Sequence, residues 1–209
     1  MDKIRGDRCA PVWVETKDRR FLAQPNVGRK KGQVWVETVI YTLIALTVIG
    51  VFLSFAKPKI EEIQDKAVID QSIDMLENIN GIIVGIVEGG AGNQRIIEVG
   101  MKKGTLIING TGDDLVFELN GKYTYSEPGT DGTQGPYVNV SDLIATTKKV
   151  GKISTVTLIS DYTNRYNITY QGEDKSKVVS RSTAPYKLAI LNKGDVGGST
   201  QIDISVYNG

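Results

Sequence analysis

Histidine is absent from the 209-residue chain, and cysteine occurs only once, as Cys9. Histidine is the commonest general base and the commonest transition-metal ligand in proteins, so its absence lowers the expectation of an enzyme. No nucleophile–base pair or metal-ligand cluster stands out elsewhere. The acidic pair Asp113–Asp114 lies in a glycine-rich turn that favours solvated carboxylates over a cation site. We therefore predict no catalytic residue, no cofactor and no metal site.

Net charge is also small, at +1, but it is unevenly distributed. Residues 1–32 carry a net charge of +5, and the other 177 residues carry −4. A basic head in front of a mildly acidic body is typical of a membrane topology signal. A nucleic-acid-binding protein would instead cluster its basic residues on the folded part, so we predict no nucleic-acid partner.

The chain contains one long run without any charge, the nineteen residues 38–56. As a helix with a rise of about 1.5 Å per residue, this run spans roughly 29 Å, which is close to the hydrocarbon thickness of a bilayer. The basic cluster Arg29–Lys31 precedes it, so the positive-inside rule places residues 1–31 in the cytoplasm and the C-terminal body outside. The alternative is a buried core helix of a soluble protein, but such helices are usually shorter and interrupted by polar residues.

Glu37 lies at the edge of the apolar run. A carboxylate near the hydrocarbon costs a few kcal/mol if it has no partner, so an acid in a membrane helix is a candidate functional residue. The alternative is that Glu37 is solvated at the headgroup level, with Trp35 as an interfacial anchor. The residues alone leave both interpretations open.

The order Lys30–Lys31–Gly32, Gln33, Glu37 and an apolar helix resembles the class III signal of archaeal type IV pilin precursors. This resemblance implies that a membrane prepilin-type peptidase cuts between Gly32 and Gln33 and removes residues 1–32 as a basic leader. It also implies that Glu37 is the fifth mature residue, where the family has the glutamate that it uses in assembly.

Two positions depart from that pattern, because the family usually has serine where Trp35 stands and leucine where Tyr41 stands. The leader is also long for the class and contains Val12–Thr16, a copy of Val34–Thr38. The first copy has no Lys-Gly before it and no apolar run after it, so we expect no processing there.

The resemblance implies a structural function, that of a pilin in an extracellular filament at the cell surface, in adhesion or attachment. Its partners would be copies of itself, the prepilin-type peptidase, a membrane assembly platform and, before assembly, the lipid bilayer. The alternative is a membrane-anchored extracellular β-domain that binds a ligand and does not polymerise.

Beyond Pro58, apolar residues recur at three- and four-residue spacings as far as Ile86, which predicts an amphipathic continuation of the helix. We therefore divide a long helical region, residues 33–93, into an apolar part (34–56) and an amphipathic part (57–88). Proline lacks an N–H and clashes with the preceding turn, so we predict a kink or local opening at Pro58.

From Arg95 onward the apolar residues alternate, which predicts strands separated by glycine-containing turns. Seven segments fit this pattern: 95–99, 105–109, 115–119, 154–159, 165–170, 186–191 and 202–207. We predict an α+β fold in which the long hydrophobic helix precedes an antiparallel β-sandwich, Ig-like or barrel-like, over residues 94–209.

Three Asn-x-Ser/Thr sequons lie in the predicted β-domain, beginning at Asn109, Asn139 and Asn167. A sequence rich in Asn, Ser and Thr produces some sequons by chance. All three lie on the predicted outer side of the membrane, where glycosylation is chemically possible. We predict that at least one of them carries a glycan.

Overall fold

The computed structural model describes residues 31–208, with side chains described for residues 34–207. Cys9 and the first Val-Trp-Val-Glu-Thr copy lie outside these residues. The fold is α+β, as predicted: a long N-terminal apolar helix precedes a domain built from sheets that are almost entirely antiparallel. Residues 50–208 belong to one compact unit, and the described residues before Gly50 belong to another.

Helix α1 runs from Lys31 to Glu88 and includes Pro58 without a break in the helical assignment. The long helix is therefore confirmed, whereas the predicted kink at Pro58 stays a prediction. The helix ends where the sequence becomes Gly89–Gly90. Gly90 has a φ of 87°, a left-handed conformation that glycine adopts without strain and that commonly follows a helix C-terminus.

Ten strands follow the helix, three more than the seven segments predicted. They are β1 (Gln94–Val99), β2 (Thr105–Asn109), β3 (Asp114–Gly121), β4 (Val138–Val140), β5 (Leu143–Val150), β6 (Ile153–Asp161), β7 (Tyr166–Tyr170), β8 (Ser176–Ser180), β9 (Tyr186–Val196) and β10 (Ser199–Asn208). A short 3₁₀ turn, Thr130–Gly132, precedes β4. The strands that the sequence did not predict are β4, β5 and β8.

The strands form two sheets. The smaller sheet has the order β1-β9-β10-β7, and the larger has the order β4-β5-β6-β3-β2-β8. All the named strand pairs are antiparallel except β7 with β10, which is parallel. In the larger sheet β4 and β8 are edge strands, and each pairs on one side only.

One continuous cluster of buried side chains joins both sheets to the C-terminal half of α1. The helix contributes a buried stripe, defined here as Ile69, Leu76, Ile79, Ile83 and Ile86, each 0% exposed. The stripe follows the three- and four-residue spacing of one helix face. Asp65, four residues before Ile69, continues this face toward the N-terminus and is also buried, whereas Ile60 and Ile63 lie off the stripe and are exposed.

Candidate functional site: an exposed apolar helix and three sequons

The apolar segment, residues 34–56, presents its side chains to the surroundings rather than to the protein core. Within residues 34–49, every side chain is exposed, and Trp35 reaches 72%. Phe52 and Phe55 are 69% and 74% exposed. Exposed aromatic and aliphatic side chains at this density are unfavourable in water and mark a surface for lipid or for another protein. By length and composition the helix is able to cross a membrane.

The hydroxyl groups of the apolar segment are satisfied within the helix itself. Thr38 donates to the Val34 carbonyl at 2.9 Å, Thr47 to the Leu43 carbonyl at 2.8 Å, and Ser54 to the Gly50 carbonyl at 2.9 Å. A hydroxyl without a partner would be costly in an apolar environment. These bonds let the segment enter such an environment with few unpaired polar groups.

Glu37 is exposed, and its carboxylate has one partner on its own helix. The Tyr41 hydroxyl donates a hydrogen bond to Glu37 Oε1 at 3.2 Å, one helical turn away. Residues four apart lie on the same face of a helix, so this contact follows directly from the spacing. The sequence pattern had marked Tyr41 only as a departure from leucine. The structure gives it a physical role, because a leucine could not donate this bond.

The predicted cleavage site lies at the start of α1. Gly32 and Gln33 fall within the helical range, but their side chains are outside the described residues. Cleavage between them, and removal of residues 1–32, stays a prediction.

Asp65 is a buried charge that the sequence pattern did not single out. It is 1% exposed, and its carboxylate accepts hydrogen bonds from the Lys103 ammonium and from the backbone N–H of Lys122. A Cβ at Gly121 would overlap this carboxylate, so only glycine fits beside it. A buried charge that loses its partner destabilises a fold by several kcal/mol, so Asp65 holds this part of the helix to the strands.

Asn192 makes a second polar connection near the end of the helix. This side chain is 2% exposed, and its Nδ2 donates to the Ile86 carbonyl at 3.2 Å. The last carbonyls of a helix have no partner within the helix, so a side chain from β9 completes the hydrogen bonding of this end. Asp65 and Asn192 thus bracket the buried stripe.

The three sequons differ in their surroundings. Asn139 is exposed on edge strand β4, whereas Asn109 and Asn167 are half-buried on β2 and β7. The acidic pair nearby is used by the fold, since Asp113 accepts from the Ile168 N–H at 2.8 Å and Asp114 accepts from Asn109 at 3.0 Å. Within residues 34–207, no group of three or more His, Cys, Asp or Glu side chains is arranged to hold a metal ion.

The site therefore consists of a long exposed apolar surface with one carboxylate at its edge, attached to a compact sheet domain. Its chemistry is association with apolar surroundings and pairing of one charge. Comparison of this chain with protein-family models, with curated proteins and with solved structures finds no match.

Proposed function

We propose that this protein is the precursor of a structural subunit, a pilin, of an archaeal type IV pilus-like filament. The observation that carries the proposal is the exposure of the whole apolar segment, in the same helix whose other half has a buried stripe. The basic leader, Gly32, Gln33 and Glu37 supply the sequence pattern of the class III signal. Adhesion or surface attachment is the role that fits a filament at the cell surface.

Assembly proceeds in three steps in this proposal. The apolar segment first inserts into the bilayer with the basic leader in the cytoplasm and the sheet domain outside. A prepilin-type peptidase then cuts after Gly32 and gives Gln33 a free α-amino group, whose ordinary pKa near 8 leaves it mostly cationic at pH 7. An assembly platform finally moves the subunit out of the lipid, and the apolar segments of many copies cover one another.

Glu37 guides the incoming subunit. A carboxylate and an ammonium are each costly in apolar surroundings, and pairing them recovers several kcal/mol where water is scarce. The Tyr41 hydroxyl gives the Glu37 carboxylate one hydrogen bond before assembly, while the bilayer surrounds the helix. The α-amino group of a neighbouring subunit then supplies the opposite charge and fixes the register.

Electron microscopy and fractionation test this function against its alternative. The full chain is expressed in an archaeal host that has a prepilin-type peptidase and an assembly platform, and the shed fraction is imaged. We expect fibres that contain this chain, with Gln33 at the N-terminus by peptide mass spectrometry. A chain found only in the membrane fraction, without fibres, identifies an anchored extracellular binding domain instead. An N-terminus at Met1, or beyond Ala56, contradicts the proposed processing.

A further inference from the structure

The folded geometry distinguishes the three sequons from one another. An N-glycan is attached at the side-chain nitrogen of the asparagine, and the Ser or Thr hydroxyl two residues later is part of the recognised motif. A folded chain is therefore a good acceptor only where both groups are accessible and neither is needed by the fold.

Asn139 and Ser141 meet both conditions. Both residues are exposed, and neither side chain makes a hydrogen bond to any other described residue. Ser141 is the first of the two residues that connect Val140 to its partner Leu143, and its φ is 52°. The sequon thus lies at the tip of a tight hairpin, where the side chains of Asn139 and Ser141 are both exposed.

Asn109 does not meet these conditions, because the fold uses its amide group to connect three strands. Its Nδ2 donates to Asp114 at 3.0 Å, and its Oδ1 accepts from the Ser176 hydroxyl at 2.8 Å. These bonds connect β2 to β3 and to β8. A Cβ at Gly112 would overlap the Asn109 nitrogen, so the surroundings of that nitrogen are also crowded. A glycan here would displace a donor that the fold uses.

The sequon that begins at Asn167 does not meet these conditions, because the hydroxyl of its third residue, Thr169, is not accessible. Thr169 is 1% exposed, and its Oγ1 donates to Asp203 at 2.8 Å and accepts from Gln201 at 3.3 Å. A transferase cannot reach this hydroxyl unless β7 separates from β10. Ile168 of β7 and Ile202 of β10 belong to the buried core, so the separation requires that part of the core to open.

We propose that Asn139 is a glycosylation site of the folded domain and that Asn109 and Asn167 remain unmodified. The proposal rests on the export of the domain that the proposed function requires. The donor is a glycan joined through its anomeric carbon to a lipid phosphate or diphosphate. Asn139 Nδ2 forms a bond to the anomeric carbon, and the bond from that carbon to the phosphate oxygen breaks. The electron pair leaves on the lipid phosphate, and Nδ2 loses one proton to a base of the transferase.

The position of Asn139 gives the glycan a structural effect. β4 pairs only with β5, so its other side presents free backbone groups at the edge of the six-stranded sheet. Tyr137 and Val138 beside it are 65% and 40% exposed. Free edges with apolar side chains invite pairing with other chains, and a bulky polar group there prevents it. The glycan therefore covers an edge of the six-stranded sheet that carries exposed apolar side chains.

Glycopeptide mass spectrometry tests the assignment in a host whose own exported proteins carry N-glycans. The wild-type chain, Ser141→Gly and Thr111→Ala are compared. Glycine suits the positive φ of position 141, so Ser141→Gly removes the hydroxyl and keeps the turn. Thr111 is exposed and makes only a long 3.4 Å bond to the Asp174 carbonyl, so Thr111→Ala is the matched control at the first sequon.

We expect a glycan on the Asn139 peptide of the wild type and of Thr111→Ala, its loss in Ser141→Gly, and unmodified Asn109 and Asn167 peptides throughout. An unmodified Asn139 in the wild type, or a glycan on Asn109 or Asn167, overturns the proposal. Fibres that carry unmodified Asn139 refute this site and leave the filament function intact. A chain that carries a glycan on Asn139 but forms no fibres supports this site and contradicts the filament function.

Discussion

Residues 34–55 and residues 65–86 belong to the same helix, yet their apolar side chains have opposite surroundings. The first stretch is apolar on all faces, and its side chains are exposed. In the second, Lys66, Asp70, Asp74 and Glu77 lie away from the buried stripe, which packs against the strands. A single sheet domain covers one face of a helix but not its whole circumference. The pattern around the helix, more than its total hydrophobicity, therefore decides which part the protein covers itself.

Matched leucine substitutions test the difference between the two stretches most directly. Leu76→Ala removes a side chain that is 0% exposed, so we expect a loss of about 2–5 kcal/mol in the free energy of unfolding of the domain. Leu46→Ala removes one that is 65% exposed, so the expected change is within about 0.5 kcal/mol. Urea denaturation in detergent, followed by circular dichroism of the strands, measures both. Equal losses would show that the two stretches are not distinct.

The stability of the domain at alkaline pH tests the buried side of this comparison. Burial raises the pKa of Tyr162 from 10.0 to about 12, and the Arg165 guanidinium over its ring opposes the rise. The nearby Ser160 hydroxyl also lowers this pKa, but it lies outside hydrogen-bond geometry, so the buried Tyr162 hydroxyl has no partner. The folded pKa exceeds the unfolded one. The resulting stability of about 2–3 kcal/mol is therefore present below pH 10 and is lost as the pH rises to 12.

Tyr162→Phe is the control for that pH dependence. The substitution removes a buried hydroxyl without a partner, so we expect a change within about 1 kcal/mol at pH 7. The loss of stability between pH 10 and 12 should become smaller in this variant. Thermal unfolding across that pH range measures it, and an unchanged alkaline transition would assign the effect to other groups.

Removing the charge of Glu37 tests the exposed side of the comparison, the apolar segment. Glu37→Gln keeps the shape and removes the charge, so we expect each subunit addition to weaken at least about tenfold, or about 1.4 kcal/mol, and filaments to become far fewer. Insertion and cleavage should persist, with processed subunit accumulating in the membrane. Tyr41→Phe removes the one hydrogen bond to Glu37 and should reduce assembly less.

Glu62→Gln is the matched control for Glu37→Gln on the same helix. Glu62 pairs with Lys59 at 2.8 Å in an exposed position, and such pairs contribute little. Filament yield, counted by electron microscopy against membrane-bound subunit, should match the wild type in this variant. Wild-type yield in Glu37→Gln would reduce Glu37 to an interfacial residue.

Pro58→Ala should have the smallest effect on the stability of the sheet domain, because Pro58 is exposed and precedes the buried stripe, whereas the helix itself should gain up to about 3 kcal/mol. The substitution supplies an N–H that can bond to the Ser54 carbonyl, so local hydrogen exchange should slow. Exchange measured by mass spectrometry on peptides around position 58 detects this. Unchanged exchange would argue against a local opening at the proline.

The helix and seven strands were predictable because their apolar periods are regular. The missed strands have identifiable reasons. β8 reads Ser-Lys-Val-Val-Ser and has only one buried residue, Val179, so its pattern does not alternate. β5 buries Thr146 and Thr147, polar residues that contribute no apolar signal. Hydrogen bonds to Ser126 and to the Gly135 carbonyl make that burial possible, and they join distant parts of the chain.

The candidate site was predictable to different degrees. The exposed apolar segment and Glu37 follow from composition and spacing alone. The bond from Tyr41 to Glu37 could have been found from the four-residue spacing, since both groups lie on one face. Asp65 gave no signal, because its partners are 38 and 57 residues away. The differences among the sequons likewise depend on tertiary contacts, such as that of Thr169 with Asp203.

The position of β10 in its sheet has a consequence for how the chain is made. β10 follows β7 and β9 in the chain yet lies between them, and it supplies Ile202 and Ile204 to the core. The smaller sheet therefore cannot close until residues 199–208 have left the ribosome. A chain truncated before Ser199 would lack the strand that joins β9 to β7, and proteases could remove it as an unfolded product. The last strand in the order of the chain is thus the one that closes the smaller sheet.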